Sequence, residues 1–130
     1  MSNRNKQAGS KYERECAKTM SFIVDKPVRT SRLMSRDEDA NKIDLYSKDT
    51  EPFQIQCKLQ TNLPSLSILD EMEAYNDRKI NCIFWGKTER AEKNMIKKAD
   101  YVIMKQKDFE ALIEYYASQR HLDFKGAWNR

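Results

Sequence analysis

The sequence predicts an α/β fold in which helices flank a mixed central β-sheet. Residues Phe53–Lys58 alternate between apolar and polar side chains, which is the pattern of a strand. Residues Ile80–Trp85 form a nearly unbroken apolar run, typical of a strand covered on both faces. Helical periodicity is found near both ends of the chain. The 130 residues fit one domain, 1–130.

The first predicted helix runs from Ala8 to Met20. At 100° per residue, one apolar stripe of this helix contains Ala8, Tyr12, Cys16, Ala17 and Met20. Glu13 falls inside the stripe, where a carboxylate is costly unless a cation or a metal meets it. The alternative is that Glu13 lies at the edge of the stripe and reaches water.

Three strands are predicted next. Val28–Met34 forms the first, and after a polar run at 35–42 the short alternating segment Ile43–Tyr46 forms the second. A stretch of turn composition at 47–52 leads into the third, Phe53–Lys58, so the last two strands are predicted to form an antiparallel hairpin. In the third strand Phe53, Ile55 and Cys57 face one way, and Gln54, Gln56 and Lys58 face the other.

The second half begins with a helix that ends near Arg78. Ser67 and Asp70 are spaced as a capping box, and Ile68, Met72 and Tyr75 line one face. With Ile80–Trp85 this makes a parallel strand–helix–strand crossover.

The remaining chain is less regular. The segment Gly86–Asp100 is charged and poorly periodic, and its pattern does not decide between a long loop and a short helix. Tyr101–Met104 is predicted as the last strand. Asp108 is predicted to cap a final helix with apolar positions at Phe109, Leu112, Ile113 and Tyr116, followed by a loose tail, 120–130.

Composition excludes several classes of protein. No apolar stretch approaches the ~18 residues of a membrane helix, and no apolar segment follows the basic start, so neither membrane insertion nor a signal peptide is expected. The three cysteines are scattered, which favours a reducing cytoplasm over a disulfide scaffold. Three isolated cysteines with the single His121 do not make a structural zinc site, and His121 is expected at the surface.

Positive charge is concentrated at the start of the chain. Residues 1–36 carry nine Lys and Arg against three Asp and Glu, which is typical of a surface for a polyanion. Residues 1–8 are predicted to be a flexible basic arm. For Arg29, Arg32 and Arg36, contact with phosphates and simple solvation are both open.

The predicted hairpin brings chemically useful side chains together. Asp44 on one strand can approach Gln56 and Lys58 on the other, and oxygen ligands of this kind hold hard divalent cations. Such a cation lowers the pKa of bound water, and an ammonium group can orient or help deprotonate that water. The arrangement suits hydrolysis of phosphodiesters. Taken singly, each residue is better explained as part of a solvated turn or an exposed strand face.

Four segments resemble the PD-(D/E)xK nuclease superfamily, and within it the archaeal-type Holliday junction resolvases common in phage and archaeal genomes. Gly9–Glu15 resembles the first-helix motif, a Gly followed four residues later by Glu-Arg-Glu. Ser31-Arg32 resembles the strand that reaches the active-site loop, and Lys42–Leu45 resembles the metal-aspartate strand. Phe53–Lys58 resembles the strand that ends in (D/E)xK. The resemblance implies a restriction-endonuclease-like αβββαβ core.

It also implies roles for particular residues. Asp44, Gln56 and the backbone carbonyl of Cys57 would be ligands of Mg²⁺, or of Mn²⁺ in its place, with Glu13 as a further carboxylate. Lys58 would be the catalytic lysine. Gln56 departs from the family, which more often has Glu here, and the uncharged amide puts the strength of metal binding in doubt.

The implied function is resolution of four-way DNA junctions by a homodimer, because two symmetric cuts need two sites related by a two-fold axis. Candidate interface residues are Trp85, Tyr115, Tyr116, Phe124 and Trp128. Phosphate contacts are expected from Arg4, Lys6, Arg29, Ser31, Arg32 and Arg36. The alternatives are a related nuclease that cuts duplex or single-stranded DNA, and a DNA-binding protein that has lost catalysis.

Overall fold

The computed structural model describes residues 3–25, 27–30, 44–46, 53–77 and 79–119. In chain order the elements are α1 (Asn3–Val24), β1 (Arg29–Thr30), β2 (Leu45–Tyr46), β3 (Phe53–Gln60), α2 (Ser67–Tyr75), β4 (Ile80–Ala91), β5 (Asn94–Met104) and α3 (Gln106–Gln119). This order confirms the predicted mixed α/β arrangement. None of the helices in these segments is both long and apolar enough to cross a lipid bilayer.

The strands form one sheet in the order β1-β2-β3-β4-β5. The strands β3, β4 and β5 are long, whereas β1 and β2 have two residues each. β2 pairs with β3 in antiparallel register, Leu45 opposite Ile55, which confirms the predicted hairpin. β3 and β4 are parallel, which confirms the crossover through α2.

Helices cover the two faces of the sheet. On one face α1 packs through Tyr12, Cys16 and Ala17 against Ile55 and Cys57. On the other face α2 packs through Leu69 and Met72 against Ile83 of β4. We call these the α1 face and the α2 face. Because successive strand residues point to opposite faces, Cys57 lies on the α1 face, whereas its neighbours Gln56 and Lys58 lie on the α2 face.

The α2 face contains a buried polar network in place of a purely apolar core. The Gln54 amide donates to the Asn81 side chain and to the Met72 carbonyl. The Asn81 backbone N–H bonds to the carboxylate of Asp108 in α3. These bonds satisfy polar groups that would otherwise be costly to bury, and they fix β3, β4 and α3 to each other.

Ion pairs join the two helices of this side. Lys105, just before α3, contacts Asp70 and Glu73 of α2 at 2.5 and 2.7 Å, and Lys107 also pairs with Glu73. The hydrogen bonds from Lys105 and Lys107 lower the pKa of Glu73 to about 2.

Several predicted details are wrong. The first helix is longer than the predicted Ala8–Met20, because α1 runs from Asn3 to Val24 and includes residues 3–8. The predicted capping box is absent, since α2 begins after Leu66 with no side-chain cap, ends at Tyr75, and leaves Tyr75 exposed. Asp108 does not cap α3: the helix begins at Gln106 and the Asp108 carboxylate turns towards β4.

The segment 86–100 is neither a loop nor a helix. It forms the end of β4, a turn at Glu92 and Lys93, and most of β5. Ala91 pairs with Asn94 across the turn. The polar run 35–42, the turn 47–52, His121 and the tail 120–130 lie outside the described residues.

Candidate metal and catalytic site

Asp44 is attached to β3 on both sides of Gln56. Its backbone N–H donates to the Ile55 carbonyl at 2.8 Å, and its carboxylate Oδ2 accepts the Cys57 backbone N–H at 2.8 Å. Asp44 was expected within the strand, but it directly precedes β2. The carboxylate therefore accepts a backbone hydrogen bond that a carbonyl of a neighbouring strand would otherwise accept from β3. Because the backbone N–H groups of a strand point along the sheet, Oδ2 lies near the plane of the sheet.

Glu13 is 7% exposed, and this confirms that it falls on the buried side of α1. The pKa of the nearby Cys57 thiol is raised, first by its hydrogen bond to Cys16, then by burial, and further by the negative charges of Asp44 and Glu13. Both carboxylates therefore lie close enough to Cys57 to act on it. Two buried carboxylates at one point of a strand are a concentration of negative charge that suits a cation.

Gln56 is buried, and its side-chain oxygen Oε1 has no hydrogen-bond partner within the described residues. A buried polar atom without a partner costs about 1–3 kcal/mol, so it calls for a physical explanation. A carbonyl oxygen on the strand segment to which Asp44 is hydrogen-bonded is a suitable ligand for Mg²⁺. This unsatisfied oxygen is the observation that fits a metal to the site.

A metal site here would need the Gln56 amide, because the acidic side chains alone are too few to hold an ion. In the described part of the chain, no group of three or more His, Cys, Asp and Glu side chains could hold a metal ion. Asp44, Gln56 and Glu13 supply one amide and two carboxylates.

The sheet separates these groups in a way that the sequence did not indicate. Glu13 approaches β3 from the α1 face, Asp44 lies at the edge of the strand, and Gln56 and Lys58 point to the α2 face. Lys58 is half-buried and lies beside Trp85 of β4, its partner in the parallel register. Asp44 is thus hydrogen-bonded directly to the residues on either side of Gln56, whereas Glu13 lies on the α1 side.

Sequence reasoning missed how α1 is held in place. The Tyr12 hydroxyl donates to Asp100 of β5 at 3.2 Å, and its ring lies against the backbone of Gly86. A Cβ at Gly86 would lie 2.9 Å from the ring of Tyr12. The interruption of the apolar run of β4 by a glycine was the available signal. Tyr12 precedes Glu13, so this contact also fixes the carboxylate.

Other predicted site residues are only partly placed. Arg4 and Lys6 belong to the first turns of α1, and Arg29 belongs to β1. Ser31, Arg32 and Arg36 lie outside the described residues, as do Phe124 and Trp128. Trp85 is buried and donates from Nε1 to the Gln60 carbonyl, whereas Tyr115 is exposed. The Cys57 carbonyl remains a predicted ligand.

No protein-family model, curated protein or solved structure matches this chain.

Proposed function

We propose that this protein is a metal-dependent DNA endonuclease of the PD-(D/E)xK type that resolves four-way junctions as a homodimer. The observation that carries the proposal is the unsatisfied oxygen of buried Gln56 on the strand segment to which Asp44 is hydrogen-bonded. The segment is followed by Lys58, which completes the Asp…Gln-x-Lys pattern. Such a nuclease would act in the cytoplasm.

The residues have distinct parts in the proposed reaction. Asp44 and the Gln56 oxygen would hold Mg²⁺ or Mn²⁺, with Glu13 adding negative charge from the α1 side. When bound, the metal would supply an acidified water and neutralise charge on the phosphate. The Lys58 ammonium would orient the attacking water and offset the negative charge that develops on the phosphoryl oxygens. Phosphate contacts by Arg4, Lys6, Arg29, Ser31, Arg32 and Arg36 would hold the DNA.

The test offers the purified protein a four-way junction, a linear duplex and a single strand, with Mg²⁺ and with EDTA. Paired symmetric nicks in the junction alone, with Mg²⁺ alone, are expected. Lys58→Ala should abolish cutting and leave junction binding within about twofold. Lys18→Ala, which removes an exposed ammonium on α1, is the matched control and should cut normally. An unchanged rate for Lys58→Ala contradicts the mechanism.

A second candidate is a DNA-binding protein of the same fold without catalysis. Gln56 favours it, because an amide adds no charge to the two carboxylates and so provides weaker metal binding than a third carboxylate would. This candidate predicts junction binding without nicks for the natural protein. It is supported further if Gln56→Glu introduces metal-dependent cleavage. Cutting of duplex or single strands in place of junctions favours the related nuclease instead.

A further inference from the structure

The end of the β4–β5 hairpin projects beyond the rest of the sheet. The last residue of β3, Gln60, pairs with Lys87. From there β4 and β5 continue as a two-stranded ribbon through four more pairs, from Thr88 opposite Lys97 to Ala91 opposite Asn94. At about 3.4 Å per residue this adds roughly 14 Å before the turn. We name residues 87–98 the ribbon.

The ribbon is rich in positive charge. It carries Lys and Arg at 87, 90, 93, 97 and 98 against Glu at 89 and 92, a surplus of three positive charges in twelve residues. Lys97 is used within the fold, because its ammonium pairs with Asp100 at 3.0 Å and lies 5.4 Å from the centre of the Tyr12 ring. Arg90, Lys93 and Lys98 are exposed, and the structure gives them no ion pair within the described residues.

The ribbon begins next to the proposed catalytic lysine. Lys58 lies beside Trp85, and the Lys87 ammonium lies 5.9 Å from the centre of the Trp85 ring. Lys58, Trp85 and Lys87 share the α2 face of the sheet. By the same alternation Arg90 points to the opposite face, so beyond the sheet the ribbon presents cations on both of its faces, beginning with Lys87 next to Lys58.

We propose that the ribbon is a DNA-binding arm that contacts the phosphates of one duplex arm beyond the cleavage site through Arg90, Lys93 and Lys98. Its position relative to the cut rests on the proposed function, whereas its affinity for DNA does not. The major groove, about 12 Å wide, admits a two-stranded β-ribbon. Cations at the tip and along both strands suit sequence-tolerant phosphate contacts.

Among the described strands β5 lies at the edge of the sheet, which would suit a different partner, a second copy that extends the sheet. The register shift between Lys87 and Thr88 makes Lys98 the extra, bulged residue of β5, and Lys97 precedes it directly. Bulges and lysines on an edge strand oppose edge-to-edge pairing. The charge and shape of the ribbon therefore favour nucleic acid over a second β5.

The test compares two variants whose net charge is lower by three. The ribbon variant is Arg90→Gln/Lys93→Gln/Lys98→Gln, and the control is Ala111→Glu/Ala117→Glu/Gln119→Glu, which changes the net charge equally at exposed positions of α3. Affinity for a fluorescent duplex is measured by anisotropy in EDTA over a series of salt concentrations. Each lost phosphate contact should reduce the slope of log K against log salt by about 0.9.

The ribbon variant should therefore bind at least about tenfold more weakly at physiological salt, with a slope smaller by about 2–3, and the control should stay near the natural protein. Circular dichroism checks folding, and the charge-retaining Arg90→Lys/Lys93→Arg/Lys98→Arg should bind normally. Unchanged binding by the ribbon variant, an equal loss in the control, or a larger loss on duplex RNA than on duplex DNA overturns the proposal.

The failure of the arm and the failure of the nuclease give different results. If the natural protein cuts DNA but the ribbon variant binds as well as it does, only the arm is wrong. If the ribbon variant loses binding but the natural protein does not cut with Mg²⁺, only the nuclease is wrong. Dimerisation lost in the ribbon variant, with unchanged affinity per protomer, would show that β5 pairs with a second copy and would overturn the arm.

Discussion

Gln56 is a buried residue whose contribution to stability and whose proposed contribution to function oppose each other. Its oxygen lacks a hydrogen-bond partner in the described structure, so an apolar side chain of similar shape should be better tolerated without metal. We expect Gln56→Met to raise the free energy of unfolding in EDTA by about 1 kcal/mol, measured by urea denaturation. The same variant should lose most of the rise in Tm that Mg²⁺ or Mn²⁺ gives the natural protein.

Gln56→Glu should behave in the opposite way. A third negative charge near Asp44 and Glu13 destabilises the metal-free protein, whereas a bound cation offsets that charge. We expect a lower Tm in EDTA and a larger rise in Tm on adding Mn²⁺ than in the natural protein, because ligand stabilisation follows RT ln(1 + [L]/Kd). Equal metal-induced shifts in the Met variant, the Glu variant and the natural protein would show that Gln56 is not a ligand.

The two proposed carboxylate ligands should also differ from each other. Asp44 is held against β3 by hydrogen bonds on both sides of Gln56, whereas Glu13 approaches from the α1 face. We therefore expect Asp44→Asn to weaken Mn²⁺ binding more than Glu13→Gln does, as measured by calorimetry. A larger loss for Glu13→Gln would place the ion on the α1 side of β3.

Asp108 shows how burial makes stability depend on pH. Burial is the main cause that raises the pKa of its carboxyl group in the folded protein. The folded state therefore binds this proton more tightly than the unfolded state does, and the ionised form destabilises the fold at neutral pH. We expect Asp108→Asn to raise the free energy of unfolding at pH 7, since it removes the buried charge and its amide oxygen can still accept the Asn81 N–H.

That gain should shrink as the pH falls below the folded pKa, where Asp108 is already neutral. Urea denaturation at neutral pH and near pH 3, below the usual range of a carboxyl group, measures the difference. The exposed Asp77 provides the control, and Asp77→Asn should change stability little at either pH. A gain of the same size at both values would mean that charge is not the cause.

At the scale of elements, the contact between α1 and the sheet holds Glu13 in place. Gly86→Ala would bring a Cβ to 2.9 Å from Leu59 and from the Tyr12 ring. We expect a loss of about 1–3 kcal/mol in the free energy of unfolding, measured by urea denaturation, and a lower cleavage rate under conditions where the variant is folded.

Gly9→Ala is the matched control. Nothing within the described residues lies within 4 Å of a Cβ at Gly9, which is inside α1. Alanine should therefore stabilise the helix by up to about 1 kcal/mol. Gly9 belongs to the segment that resembles the family motif, but the described contacts give it no steric reason to be glycine. A destabilised Gly9→Ala would show that this region makes contacts outside the described residues.

The elements that the sequence predicted correctly are those with a face to bury. β3 and β4 carry clear periodic or continuous apolar patterns because helices cover them. The ribbon has no such pattern, because both of its faces meet solvent near the tip and nothing selects apolar side chains there. The helix starts were wrong because the capping residues bond elsewhere: Ser67 contacts Ser65, and Asp108 contacts β4.

The same reasoning explains how much of the candidate site was predictable. The burial of Glu13 and the approach of Asp44 to β3 follow from a helical stripe and a hairpin. Which face of β3 Glu13 approaches, and which helix Gln56 points towards, did not follow from the sequence, because β3 is buried on both faces and its composition does not distinguish α1 from α2. Only the packed arrangement of the helices decides this.

For the whole molecule, the proposed homodimer can be tested without knowing the interface. Paired cuts in a junction need two active subunits on one substrate. If natural protein is mixed with an excess of Lys58→Ala, most natural subunits will be paired with an inactive partner. We then expect singly nicked junctions to replace paired products, as measured on a junction whose strands carry different labels.

The control is an equal excess of Lys18→Ala, whose exposed position on α1 is not assigned to cleavage or binding, and paired products should then persist. A protein that acts as independent monomers would respond differently to Lys58→Ala. Inactive protein would then compete for junctions and lower the overall rate of cleavage. The ratio of paired to single nicks would be the same whether or not the two proteins were mixed before DNA was added. Preincubating the two proteins separately and together distinguishes these cases, because only an exchanging dimer makes the ratio depend on the order of mixing.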